Sequence, residues 1–166
     1  MPESPRQQLI AALKDERART RRVLDAYSAS ASELRPHATS MSARELAHLF
    51  SLEAGIGMMA LSGTLDISKM GAMPPAPATW GEAVKAFDAS HDGLISALEG
   101  ATDADLVTTV IFMTGPKQTG PMRKIDLLRF MLSDHIHHRG QFSVYLRMSG
   151  GKVPSIYGPS KDEPWN

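Results

Sequence analysis

Apolar residues recur at helical spacing in four stretches of the chain, and most stretches begin or end with residues suited to a helix terminus. Leu9, Leu13, Leu24 and Tyr27 mark a first helix over about residues 4–28, with Ser4 as N-cap and Pro5 at the first helical position. Ser42, followed three residues later by Glu45, forms a capping box and opens a second helix. That helix carries Leu46, Leu49, Phe50, Leu52, Ile56, Met59 and Leu61 and ends near Gly63. The next segment, residues 71–77, is too rich in proline for a helix. Thr79 with Glu82 repeats the capping box and predicts a third helix from Trp80 to about Leu98, closed by Gly100. Residues 106–112 are β-branched and apolar, and Gly115, Pro116 and Gly120 follow, so an extended segment or small hairpin is expected. Pro121 and Met122 open a fourth helix that runs to about Met148. The tail, 153–166, holds Pro154, Pro159 and Pro164 and is expected to be non-helical, docked on the body by Ile156, Tyr157 and Trp165. The pattern predicts an all-α fold, an antiparallel four-helix bundle with a short extended segment before the last helix, forming one domain over 1–166.

Composition narrows the function classes. Lysine plus arginine equals aspartate plus glutamate at 18 each, which argues against a nucleic-acid binder and removes a barrier to self-association. The arginines at 17, 19, 21 and 22 are expected on a solvated face with Asp15, Glu16 and Asp25 as counter-charges. The chain has no cysteine, so disulfides and thiol catalysis by the protein are excluded and any metal site must use histidine and carboxylate. Residues 1–14 are polar, with no signal-peptide stretch, and no run approaches the roughly 18 apolar residues of a membrane span. The expected location is the cytoplasm.

Three of the six histidines fall in the run Asp134-His135-Ile136-His137-His138, within the fourth helix. At about 100° per residue, Leu127, Met131, His138 and Tyr145 share one line down that helix. Asp134 and Gln141 lie on one flank, His135 and Phe142 on the other, with Gly140 and Arg147 on the opposite side. His138 is thus expected to point inward, with Asp134 four residues before it and His135 three. An inward imidazole beside an inward carboxylate is costly unless paired or metal-bound. Zn, Ni, Fe or Mn would satisfy both groups, as would a buried hydrogen bond between them. A metal site needs a ligand from another helix, and His48, in an apolar stretch of the second helix, is the candidate. His37 and His91, in a loop and a charged stretch, are expected at the surface. The second helix is apolar over more than one stripe, with small residues at Gly55, Gly57 and Ala60, which predicts a second copy packed against it.

The run His137-His138-Arg139-Gly140-Gln141, followed by Ser143-Val144-Tyr145-Leu146-Arg147 and by Pro154-Ser155-Ile156-Tyr157-Gly158, resembles the DinB-like proteins. So does His48 after Ser42-Ala43-Arg44-Glu45, and the resemblance covers nearly the whole chain. It implies an up-down-down-up four-helix bundle, commonly a homodimer. It also implies a divalent metal held by three residues, usually histidines, one from helix two and two from helix four. Here Asp134 stands where the family usually has a histidine, and His135 follows it. Related isomerases carry a carboxylate at that place, so the ligand set leans to His48, Asp134 and His138, with His135 as the alternative third ligand. Relatives include mycothiol-dependent isomerases and bacillithiol transferases. The implied activity is therefore a metal-dependent thiol transferase or hydrolase acting on small electrophilic molecules, with a low-molecular-weight thiol as co-substrate. The alternative is a non-catalytic metal- or small-molecule-binding stress-response protein. Gln141 and Tyr145 are candidate substrate-binding residues, and Arg139 and Arg147, off the inward face, are expected to meet the tail or a dimer partner.

Overall fold

The computed structural model describes residues 3–165; Met1, Pro2 and Asn166, the ends of the expected domain, lie outside the described residues. Four long helices dominate: α1 (Pro5–Asp25), α2 (Ala43–Leu61), α3 (Trp80–Gly100) and α5 (Lys124–Met148). Helices α1, α2 and α3 each begin with a full capping box, Ser4 with Gln7, Ser42 with Glu45 and Thr79 with Glu82. Each box satisfies two backbone donors that a helix start leaves without partners. A short helix, α4 (Asp103–Leu106), uses the same device through Thr102 and Asp105.

Between α4 and α5 the chain forms an antiparallel hairpin, β1 (Thr109–Gly115) with β2 (Gln118–Arg123). The fold is therefore mostly helical with a two-stranded sheet, and the expectation of an all-α fold is corrected. Pro121 and Met122 do not open the last helix: they lie in β2, opposite Ile111 and Val110, and α5 begins at Lys124. A proline is tolerated there because a two-stranded ribbon leaves one edge of each strand without ladder bonds. Lys117 turns the hairpin with a positive φ of 58°.

Helix α2 packs against α3 and α5, and α1 against the same two helices. An aromatic cluster of Tyr27, Phe50, Trp80, Phe87 and Phe142 fills one end of the interior. At the other side of α2, Ile56 and Ala60 join Val110 and Phe112 of β1 and Leu127 and Met131 of α5. Much of the apolar surplus of α2 is thus taken up within the chain, and its Leu49, Leu52, Met58, Met59 and Leu61 are half-buried. Glycines on both sides let α2 and α3 approach: a methyl at Gly57 of α2 would lie 2.8 Å from Leu94, and one at Gly93 of α3 would lie 2.8 Å from the sulfur of Met58.

The tail is non-helical and docked by polar contacts more than by its apolar residues. Arg22 donates to the Ser155 carbonyl and to Glu163, both at 2.7 Å, and Arg147 pairs with Asp162. Trp165 donates to the Ser155 hydroxyl at 2.8 Å while its ring stays exposed, and Ile156 packs on the aromatic cluster.

Candidate metal centre

Glu53 sits on the inner line of α2 with Leu46, Phe50 and Gly57, at the helical spacings that built the core. It is 5% exposed. From α5, His138 Nδ1 donates to Glu53 Oε1 at 2.5 Å, and Asp134 Oδ1 stands 3.8 Å from the same nitrogen. Glu53, Asp134 and His138 each offer one ligand atom, all within 4.8 Å of one another, and Asp134 and His138 keep the group open to solvent on one side. The second carboxylate oxygen, Glu53 Oε2, is buried without a hydrogen-bond partner. Its nearest imidazole nitrogen is Nδ1 of His135, 3.3 Å away. Burial works against the charge of Glu53, but the neighbouring imidazoles of His135 and His138 outweigh it and hold the carboxyl below its ordinary value. The hydrogen bond to Glu53 raises His138, against the opposing effect of burial, and the charge of Asp134 adds to the rise. Two carboxylates and an imidazole, one acid carrying an unpartnered buried oxygen, form a donor set that suits a divalent cation.

A polar line continues into the interior. His135 Nε2 lies 2.7 Å from the Thr20 hydroxyl, which in turn lies 3.3 Å from Nη1 of Arg139. Arg139, 2% exposed, pairs with Glu16, and the Tyr157 hydroxyl of the tail joins that pair, donating to Glu16 at 2.8 Å. Burial opposes the charge on Glu16, but Tyr157 and Arg139 hold its carboxyl below the ordinary value. His91 is also inside, 5% exposed, its Nδ1 donating to the Phe87 carbonyl at 2.9 Å. Burial, then the neighbouring His135, push His91 down to about 4. A cavity of about 20 Å³, roughly one water in size, lies among Glu53, His91, His135 and Arg17.

The structure brings Asp134 and His138 together, with His135 behind them, but does not bring His48 to the group. His48 lies about 140° around α2 from Glu53, its Nε2 3.3 Å from the Pro74 carbonyl and its Nδ1 buried without a partner. It lines an open pocket of about 480 Å³ under the proline-rich loop, beside Leu49, Leu52, Met41 and Met73. Gln141 is exposed and donates to His137 at 2.7 Å. Tyr145 is buried on Phe142, its hydroxyl donating to the Met41 carbonyl at 2.9 Å. The inner line of α5 runs through Met131, His135, Arg139 and Phe142, so Arg139 is central rather than off the inward face, and His138 flanks it. His91, expected at the surface, is corrected to a core residue, and Glu53 was missed. Both had a signal: His91 falls at helical spacing with Phe87, Leu94 and Leu98, as Glu53 does with Phe50, Ala54 and Gly57.

A mostly helical body with an acid–imidazole group between its second and last long helices defines a class, and the comparisons name it. The sequence matches the DinB family over residues 1–165, and the chain belongs to that family. A relative from Bacillus subtilis (strain 168), the uncharacterized protein YrdA, is 29% identical over 111 residues, which span 66% of this chain and 64% of YrdA. The chain thus aligns with just under two thirds of that relative. The crystal structure of YjoA, a DinB-like protein from Bacillus subtilis, shares the fold at a TM-score of 0.70 and 20% identity, over 90% of this chain and 97% of YjoA. A DinB-like protein from Bacillus cereus ATCC 10987 shares it at a TM-score of 0.73 and 20% identity, over 90% of this chain and 95% of that one.

Proposed function

We propose that this chain binds a divalent metal through Glu53, Asp134 and His138 and uses it as a thiol transferase or hydrolase on small electrophilic molecules. The observation that carries the reading is the convergence of Glu53, Asp134 and His138, whose ligand atoms lie within 4.8 Å of one another with Glu53 buried. Glu53 takes the place expected of His48 as the ligand from α2. When bound, the metal supplies Lewis acidity that lowers the pKa of a coordinated thiol or water. The low-molecular-weight thiol must come from outside, because the chain has no cysteine.

The protein's own residues fix the geometry. Asp134 and His138, one turn apart on α5, present two donors from a rigid helix, and His135 backs Glu53 from the interior. The pocket beside His48 has the volume of a small-molecule site, and its α2 wall, Leu49 and Leu52, leads along the helix to Glu53. In this reading the ring of His48 lines the site for the electrophile, and Tyr145 holds the rim of the pocket through Met41. Gln141, exposed beside His137, is the residue left to meet the thiol from the solvent side. We read the four long helices as the family's up-down-down-up bundle in the cytoplasm. Pairing of two copies would use the exposed Phe130, Val144 and Met148 of α5 rather than α2. Light scattering at twice the 18.0 kDa chain mass supports that pairing, and a monomer refutes it.

The activity is tested by incubating the metal-loaded chain with a low-molecular-weight thiol and a reactive electrophile and following thiol consumption. The reading expects consumption that chelation abolishes. Metal bound with no consumption across a panel of thiols and electrophiles would leave a binding protein and overturn the catalytic part.

A further inference from the structure

We propose that Thr20 and Arg139 act through His135 to hold the Glu53 carboxylate in place, by a directed hydrogen-bond chain that fixes the His135 hydrogen on Nδ1. The direction follows from the donors available. A guanidinium only donates, so Arg139 Nη1, 3.3 Å from the Thr20 oxygen, makes that oxygen an acceptor. The Thr20 hydroxyl has one hydrogen of its own to place. His135 Nε2, at 2.7 Å, is its acceptor among the described residues. The Thr20 oxygen has a second lone pair, so the direction rests on the buried hydroxyl hydrogen, for which Nε2 is the acceptor, and on the carboxylate facing Nδ1: Nε2 carries the lone pair and the ring hydrogen sits on Nδ1.

The other end of the ring requires the same arrangement. Nδ1 faces Glu53 Oε2 at 3.3 Å. A lone pair there would oppose a carboxylate; an N–H is attracted to it. Nothing from solvent competes, because Thr20, Arg139, His135 and Glu53 are 0%, 2%, 4% and 5% exposed. Phe50 and His91 pack beside the imidazole, with ring centroids 4.7 and 5.1 Å away, and resist a flip of the ring. Arg139 is itself anchored by Glu16 and by the Tyr157 hydroxyl, so α1, α5 and the tail all bear on one carboxylate of α2. Thr20, Arg139 and His135 are positioning residues: they turn Glu53 so that Oε1 stays with His138 and Asp134.

The inference rests on the metal reading only in its affinity arm, and the first measurement is independent of metal. In the metal-free full-length chain labelled with ¹⁵N-histidine, a long-range ¹H–¹⁵N correlation reads which ring nitrogen carries hydrogen, and His135→Gln assigns the signals. His135 is expected with hydrogen on Nδ1 and a bare Nε2. Hydrogen on Nε2, alone or as well, overturns the proposal. In Thr20→Val the carboxylate still keeps the hydrogen on Nδ1, but the bare Nε2 signal should shift as it loses its donor, and metal affinity should fall about tenfold or more, as for lost outer contacts at other metal sites. Thr20→Ser, which keeps the hydroxyl, should restore both. A Thr20→Val chain with an unmoved Nε2 signal and wild-type affinity also overturns it. If wild-type chain binds no metal, the proposed function fails while the tautomer measurement still decides this inference.

Discussion

Glu53 shows how much a single buried residue decides. A carboxylate on the apolar line of α2 is expensive unless partners meet it, and the partners come from α5, more than 80 positions later in the chain. Sequence spacing found Asp134 and His138 because they share one helix. Spacing also puts Glu53 on the inner line of α2, but it could not show that Glu53 meets Asp134 and His138, because pairing across helices depends on packing that no local pattern encodes. The geometry also separates Asp134 from its neighbour: Asp134 offers a donor to the group directly, while His135 stands behind Glu53 with its other nitrogen on Thr20. Asp134→Asn should therefore weaken metal binding more than His135→Asn does, measured by competition with a chelator. The reverse order would make His135 the ligand. His91 carries a second expectation. Held at about 4 against an ordinary 6.5, it stays neutral when folded but takes a proton when unfolded. Its contribution is present above 6.5 and is lost as the pH falls through about 4, a cost of about 3 kcal/mol. His91→Met should lose less stability than wild type over that range in denaturant titrations. Equal losses would show that His91 is not the group that takes the proton.

The helices of this chain were legible where their ends carry chemistry. Ser4, Ser42 and Thr79 mark their starts in sequence and in structure because each cap is a local contact of three residues. The start of α5 was not legible: Arg123 makes no side-chain cap, and Pro121 suits a first helical turn as well as the edge of a hairpin. Only the pairing of β2 with β1 decides between them. The role of Arg139 was equally hidden, since its acid partner lies on α1 and its phenol partner on the tail. Arg139→Met would remove the buried one of the two cations on Glu16, leaving Arg19 at 2.6 Å, and should destabilise the fold by about 2 kcal/mol or more in urea titrations. Arg147→Ala, which breaks a solvent-screened pair with Asp162, should cost far less. Similar costs for the two would contradict an interior role for Arg139.

For the molecule as a whole, the acid–imidazole pair ties stability and metal binding to pH in opposite senses. The lowered Glu53 contributes stability above its unfolded value of 4.5 and loses it as the pH falls through the folded value. The raised His138 contributes below 6.5 and loses its share as the pH rises through its folded value. The metal-free chain thus gains most from this pair between those limits. Metal needs the proton gone, so affinity should begin to fall on acidification while the pH is still above 6.5. Metal titrations across neutral pH check this, and affinity that is flat down to 6.5 would contradict a raised His138. The surface follows the same logic of internal use: much of the apolar face of α2 is taken up by α3 and the hairpin, while Leu49 and Leu52 line the open pocket. Among the described residues, no helix is long and apolar enough to cross a membrane.

The central claim is that Glu53, Asp134 and His138 hold a divalent cation, and elemental analysis of the chain purified without a histidine tag tests it most directly. The account predicts a stoichiometric divalent ion in the wild-type chain, lost from Glu53→Gln and from His138→Asn while both keep their helical content. A metal-free wild type after exposure to Zn, Ni, Fe and Mn, or variants that retain the full complement of metal, would contradict it.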